Sequence, residues 1–237
     1  MKDNYRDNKE KKKWYIGYFN YTVVLTHLAL LSSVCGIYFA INGRPEFAVY
    51  CLMISGICDA FDGKVARTKE RCQREERYGI QIDSLSDIVC FGVLPTVIGY
   101  AWGMHQPLYL AIFFFYIAMA LTRLAYFNVT EEDRQDAETG ERRKEYAGLP
   151  VTSISMIVPA VYILGVFFQD VFEQVYAGVI VLTGCAYVIN FKVKKPSGLY
   201  MALILVAGAI LLIMMAKGVE STPRLLAAIL LKRGLYW

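Results

Sequence analysis

Four aspartates in two short stretches, Asp59-x-x-Asp62 and Asp83-x-x-x-Asp87, are the residues of this chain best suited to chemistry. Both stretches fall at the ends of runs that are otherwise apolar. An aspartate near the middle of a membrane helix costs about 2.5–3.5 kcal/mol to insert. Four of them in one region need an offset, and a divalent cation in a water-accessible cavity supplies it, because hard cations take oxygen ligands. Positions three and four apart share a helix face. Asp59, Asp62, Gly63 and Ala66 therefore project together, and Gly79, Asp83 and Asp87 form a second stripe. The small residues let two helices, or a helix and a ligand, approach closely. Two carboxylate pairs on opposed helices suit two metal ions about 3.5–4 Å apart and an in-line displacement at phosphorus.

The elements that hold these stripes read as membrane helices. The chain has 237 residues, of which 56% are hydrophobic, and a mean hydropathy of +0.38. The surface of a soluble fold with that composition would be too apolar. Runs long enough to span occur at 20–41, 46–62, 80–102, 107–128, 151–168, 171–191 and 198–216, with a short eighth at 225–231. The expected organisation is a cytoplasmic leader over 1–15, a catalytic transmembrane core over 16–191, and C-terminal membrane helices and tail over 192–237. The six cysteines, at 35, 51, 58, 72, 90 and 185, form no C-x-x-C pair and read as small residues rather than disulfides or zinc ligands.

Charge placement gives an orientation. Lys and Arg cluster before Trp14, from Lys64 to Arg77, from Arg134 to Lys144 and from Lys192 to Lys195, while the alternate loops are nearly free of them. Basic residues favour the cytoplasmic side. The N-terminus and both aspartate stripes are therefore expected on that side of the cytoplasmic membrane. The net charge of +4 sits in these juxtamembrane segments, against anionic lipid. A nucleic-acid partner would want a basic face on a soluble fold, and none is legible.

Taken together, D-x-x-D-G-x-x-A-R (Asp59 to Arg67) and G-x-x-x-D-x-x-x-D (Gly79 to Asp87) resemble the signature of the CDP-alcohol phosphatidyltransferases. The continuation from Asp83-Ser84 through Phe91-Gly92-Val93-Leu94-Pro95 is similar to the phosphatidylserine synthase branch, as are Arg123 to Asn128 and Gly148-Leu149-Pro150. The resemblance covers roughly residues 20 to 160. It implies an all-α integral membrane protein with a six-helix core and one or two extra C-terminal helices, CDP-diacylglycerol as donor and L-serine as acceptor. It further implies two ions, Mg2+ or Mn2+, with Asp59 and Asp83 bridging, Asp62 and Asp87 flanking, and Asp87 as the base. Gly63, Ala66, Arg67 and Gly79 would line the CDP group, and a homodimer is the common state. One departure stands out: eleven residues separate Arg67 from Gly79 where the family has about eight, which predicts a longer charged loop over 68–78.

Arg123, inside a span, and Asn128 are the candidate contacts for the acceptor or a phosphate; the arginine could equally snorkel to the interface. His27 and His105 have no metal-spaced partner and read as structural. Trp14, Tyr15, Tyr18 and Trp102 read as interfacial belt residues. Two alternatives remain. A sister transferase would take glycerol 3-phosphate or an inositol phosphate and would want more cations around the acceptor. An ion or proton transporter would use the carboxylates but would not need the paired glycines or Arg67.

Overall fold

The computed structural model describes residues 17–18, 21–66, 68, 72–136, 145–165, 169–194 and 206–213. Its helices in chain order are α1 (Val24–Ile41), α2 (Pro45–Ala66), α3 (Gln73–Asp87), α4 (Leu94–Ala101), α5 (Pro107–Asp136), α6 (Ile154–Leu164) and α7 (Phe172–Val188). A short helix, α8, lies C-terminal to these over 206–213. A π-helical turn, Ile88–Val93, joins α3 to α4, so Gln73–Ala101 runs as one 29-residue span. This span, α1 and Pro107–Asp133 are long and apolar enough to cross a membrane. Helix α2 is long enough at 22 residues, but Glu46, Asp59 and Asp62 break its apolar run.

Large apolar side chains such as Leu31, Phe114, Leu121 and Leu182 face outward, while Leu52, Phe91, Leu94, Ile98, Ile154 and Ile180 fill the interior. Lipid, unlike water, solvates such an outer surface at no cost, and a helix satisfies its own backbone there. The chain is a predominantly helical integral membrane protein. Helices α1 and α2 form an antiparallel hairpin whose turn is closed by Asn42 Nδ2 donating to Tyr38 O at 2.7 Å. Between them the fully buried Ser33 and Ser55 hydroxyls meet at 2.8 Å, and Ser55 Oγ is 2.9 Å from Ala29 O. Buried hydroxyls must find such partners, so this pair fixes how α1 lies on α2.

The π turn has a local cause. Leu94 N–H reaches back five residues to Val89 O. Pro95 has no N–H, so Phe91 O, which that amide would meet in an α-helix, loses its usual donor. Tyr116 on α5 supplies one, its hydroxyl donating to Phe91 O at 2.6 Å. Tyr176 on α7 donates to Pro95 O at 2.8 Å. At the far end of α4, Trp102 stacks on Tyr162 with centroids 5.6 Å apart and meets Tyr176 edge-on. The expected belt residue therefore also ties α4 to α6 and α7.

Two boundaries differ from the sequence reading. Helix α3 begins at Gln73, so the charged stretch expected as a loop over 68–78 is helical for its second half. Gln, Arg and Glu are good helix formers, and Glu75 and Glu76 sit in the first turn, where the helix dipole favours acids. Helix α5 runs to Asp136, well past the apolar run that ends at 128, and its polar end is held by Gln81 Nε2 donating to Glu132 at 3.1 Å. A small antiparallel ribbon, β1 (Glu145–Ala147) with β2 (Lys192–Lys194), adds to the helices; Tyr146 pairs with Val193. Gly148 comes directly after β1 at φ +75°, where a Cβ would meet Tyr187 O at 2.9 Å. Of the expected 198–216 span, 206–213 is helical; the 1–15 leader and the 225–231 run lie outside the described residues.

Candidate active site

Helices α2 and α3 end and begin at the same side of the bundle, which places the two stripes against each other. Asp59, Asp83 and Asp87 each offer a carboxylate oxygen, and these oxygens lie within 4.8 Å of one another. Asp87 is buried. Asp62, one turn beyond Asp59, contacts the Asp83 carboxyl and accepts from Thr26 Oγ1 at 3.5 Å. Ionised carboxylates are acceptors only. Two that touch each other, beside two more, need a shared proton or a cation between them. The all-oxygen donor set is the one that Mg2+ and Mn2+ prefer, so the residues fit a divalent ion.

Thr26 is the residue that sequence reasoning missed. Its hydroxyl donates to Asp62 and its carbonyl accepts from Ser86 Oγ at 3.3 Å, so α1 holds both stripes at one point. Nothing in residue type marks it: Thr122 and Thr130 also sit in a long helix, but each donates to a carbonyl of its own helix. What separates Thr26 is its inward face, at 6% exposure.

Gly63 and Ala66 lie on α2 after Asp59 and Asp62, and Gly79 on α3 before Asp83. Gly63 is exposed, and a Cβ there would meet nothing within 4 Å. Protein packing therefore does not demand a glycine, and open space beside Asp62 is what a ligand requires. Gly79 is half-buried one turn before Asp83, and Ala66 closes α2. Arg67 lies outside the described residues.

Asn128 meets α3 at Gln81 and Ser84. It accepts from Ser84 Oγ at 2.7 Å, next to Asp83, and donates to Gln81 Oε1 at 3.3 Å. Arg123 faces elsewhere. It is 8% exposed, its Nε donates to Leu149 O at 3.4 Å, and it borders a cavity of about 240 Å³ with Thr122, Tyr126 and residues 187–190. The two candidate acceptor contacts, five residues apart on α5, thus have different neighbours. His27 Nδ1 lies 2.6 Å from Val23 O, and His105 packs on Tyr100 at 4.4 Å between centroids.

Known proteins match the sequence along most of the chain. The sequence is 29% identical over 196 residues to the CDP-diacylglycerol–serine O-phosphatidyltransferase of Saccharomyces cerevisiae, covering 72% of this chain and 70% of that one. It is 26% identical over 174 residues to the enzyme of the same name from Helicobacter pylori J99, covering 71% and 69%. With the archaetidylserine synthase of Methanothermobacter thermautotrophicus it shares 25% identity over 168 residues, covering 69% and 67%. The sequence profile of the CDP-alcohol phosphatidyltransferases matches residues 19–232, a range that takes in both aspartate stripes and helices α1 to α8, and the chain belongs to that family.

Proposed function

We propose that the chain transfers the phosphatidyl group of CDP-diacylglycerol to the hydroxyl of L-serine, giving phosphatidylserine and CMP. The observation that carries this reading is the convergence of Asp59, Asp83 and Asp87 from two helices, with Asp62 alongside. The relatives' names supply the acceptor: serine is common to all three, while the lipid is phosphatidyl in two and archaetidyl in one. Asp59, Asp62, Asp83 and Asp87 would hold the divalent ions. Such ions, Mg2+ or Mn2+, polarise a diphosphate and stabilise the departing CMP.

The chain's own groups then divide the remaining work. Gly63, Ala66, Arg67 and Gly79 take the CDP group, glycine allowing close backbone approach and arginine offering a planar fork of donors. Asp87 accepts the serine hydroxyl proton as the serine Oγ–P bond forms and the P–O bond to CMP breaks. General-base work of this kind contributes about 10²–10⁴-fold. Thr26 holds Asp62, and Ser84 with Asn128 braces α3 beside Asp83. Asn128 and Arg123 serve the acceptor or a phosphate, Asn128 from its contact with Ser84 and Arg123 from a cavity of its own. The site faces the cytoplasm, a reading that the basic segments support, and two copies pair as a homodimer within the lipid bilayer.

The test is acceptor replacement. Purified protein given CDP-diacylglycerol and Mn2+ should release CMP with L-serine, and not with glycerol 3-phosphate or an inositol phosphate. Release that depends on either phosphorylated acceptor instead would make it a sister transferase.

A further inference from the structure

The run Phe91-Gly92-Val93-Leu94-Pro95 lies just beyond Asp87 and contributes no group to the chemistry above, yet its backbone is the least regular part of the span. An extra residue in a helical ladder rotates the segment before it against the segment after it by about 100°, since an α-helix has 3.6 residues per turn. The π turn begins at Ile88, so everything carrying Asp83 and Asp87 is turned relative to α4. Helix α4 is itself anchored, with Leu94 and Ile98 fully buried and Pro95 O held by Tyr176. The widened turn is filled from inside: a Cβ on Gly92 would come within 2.8 Å of Ile88 Cδ1. Its freed carbonyl, Phe91 O, accepts from the fully buried Tyr116 hydroxyl. Tyr116 Oη lies 3.1 Å from Tyr187 Oη, which lies 3.1 Å from Val151 O at the start of the α6 segment.

We propose that Tyr116 is a positioning residue for the metal-holding carboxylates: its hydroxyl stands in for the amide that Pro95 lacks, fixes the π turn after Asp87, and so sets how Asp83 and Asp87 face Asp59. The proposal rests on the reading that these aspartates hold divalent ions. It gives the Phe-Gly-Val-x-Pro run a mechanical reason: proline frees a carbonyl, glycine makes room for Ile88, and a tyrosine from α5 locks the result.

The test is Mn2+ affinity, titrated on the purified chain in detergent and monitored by electron paramagnetic resonance. Tyr116→Phe keeps the ring and removes the hydroxyl, and should weaken Mn2+ binding at least fivefold. Tyr176→Phe removes an equally buried hydroxyl that donates to the same span from α7, farther from Asp87, and should stay within twofold of the parent. Pro95→Ala returns an amide able to meet Phe91 O, so Tyr116→Phe added to it should cost less than half of the loss seen in the parent. A Tyr116→Phe chain that folds only in the Pro95→Ala background supports the proposal equally. Unchanged Mn2+ affinity in Tyr116→Phe would overturn it. So would equal losses in Tyr116→Phe and Tyr176→Phe, or no folded Tyr116→Phe chain in either background. CMP release is scored separately. A parent that binds Mn2+ through Asp83 but releases no CMP with serine removes the proposed function and leaves this inference standing. A parent without Asp83-dependent Mn2+ binding removes both.

Discussion

At the scale of single residues, Asp87 is asked to do two things, hold an ion and take a proton, and the two are separable. Asp87→Asn should collapse serine-dependent turnover, by about 10²-fold or more if general-base catalysis is lost, while CDP-diacylglycerol binding at saturating metal stays largely intact. In the proposed site, donor binding would rest on the three other carboxylates, Arg67 and apolar acyl contacts. Asp62→Asn is the comparison: it removes a proposed ligand that Thr26 orients, so donor affinity and rate should fall together. Equal losses of affinity and rate in Asp87→Asn would mark it as a ligand with no role as base. The aspartates themselves were legible because their cost in a membrane is high and their spacing regular. Thr26 was not, because a hydroxyl bonded to its own helix and one bonded across helices look alike in sequence.

At the scale of elements, what the sequence hides is backbone detail that depends on partners far along the chain. Helices α1 to α7 were readable from apolar runs to within several residues, but the π turn was not, since it needs Pro95 on one helix and Tyr116 on another. The early start of α3 and the polar end of α5 escaped hydropathy for a related reason: both are charged segments whose helicity comes from propensity and from the Gln81–Glu132 contact. The Gly148-Leu149-Pro150 stretch matched by resemblance alone, and the structure supplies its physics. Gly148 sits in the left-handed region under the ribbon, its N–H donating to Phe191 O at 2.8 Å. Leu149 N–H donates to Ala186 O at 3.1 Å, and Leu149 O accepts from Arg123. Gly148→Ala should therefore destabilise by at least the about 1–2 kcal/mol that a left-handed L-residue costs, seen as a lowered thermal midpoint in detergent micelles. An unchanged midpoint would mean that this turn is not held as described.

At the scale of the whole molecule, orientation and activity are one claim, because a site that consumes a CDP-activated lipid must open to the compartment that supplies it. Cys72 is exposed in the turn between α2 and α3. A membrane-impermeant maleimide should label it in inverted vesicles and not in intact cells, with Cys72→Ser as the blank; labelling from outside would reverse the topology drawn from the basic segments. The most direct measurement of the central claim is CMP release from CDP-diacylglycerol and L-serine by the purified chain, with Mn2+ and with a chelator, for the parent, Asp59→Asn and Asp83→Asn. The account predicts metal-dependent release in the parent and loss of it in both variants, with both still present in the membrane, since Asn costs less there than Asp. Release that survives the chelator, or a variant retaining more than about a tenth of the parent rate, a difference of only ~1.4 kcal/mol in the barrier, would contradict it.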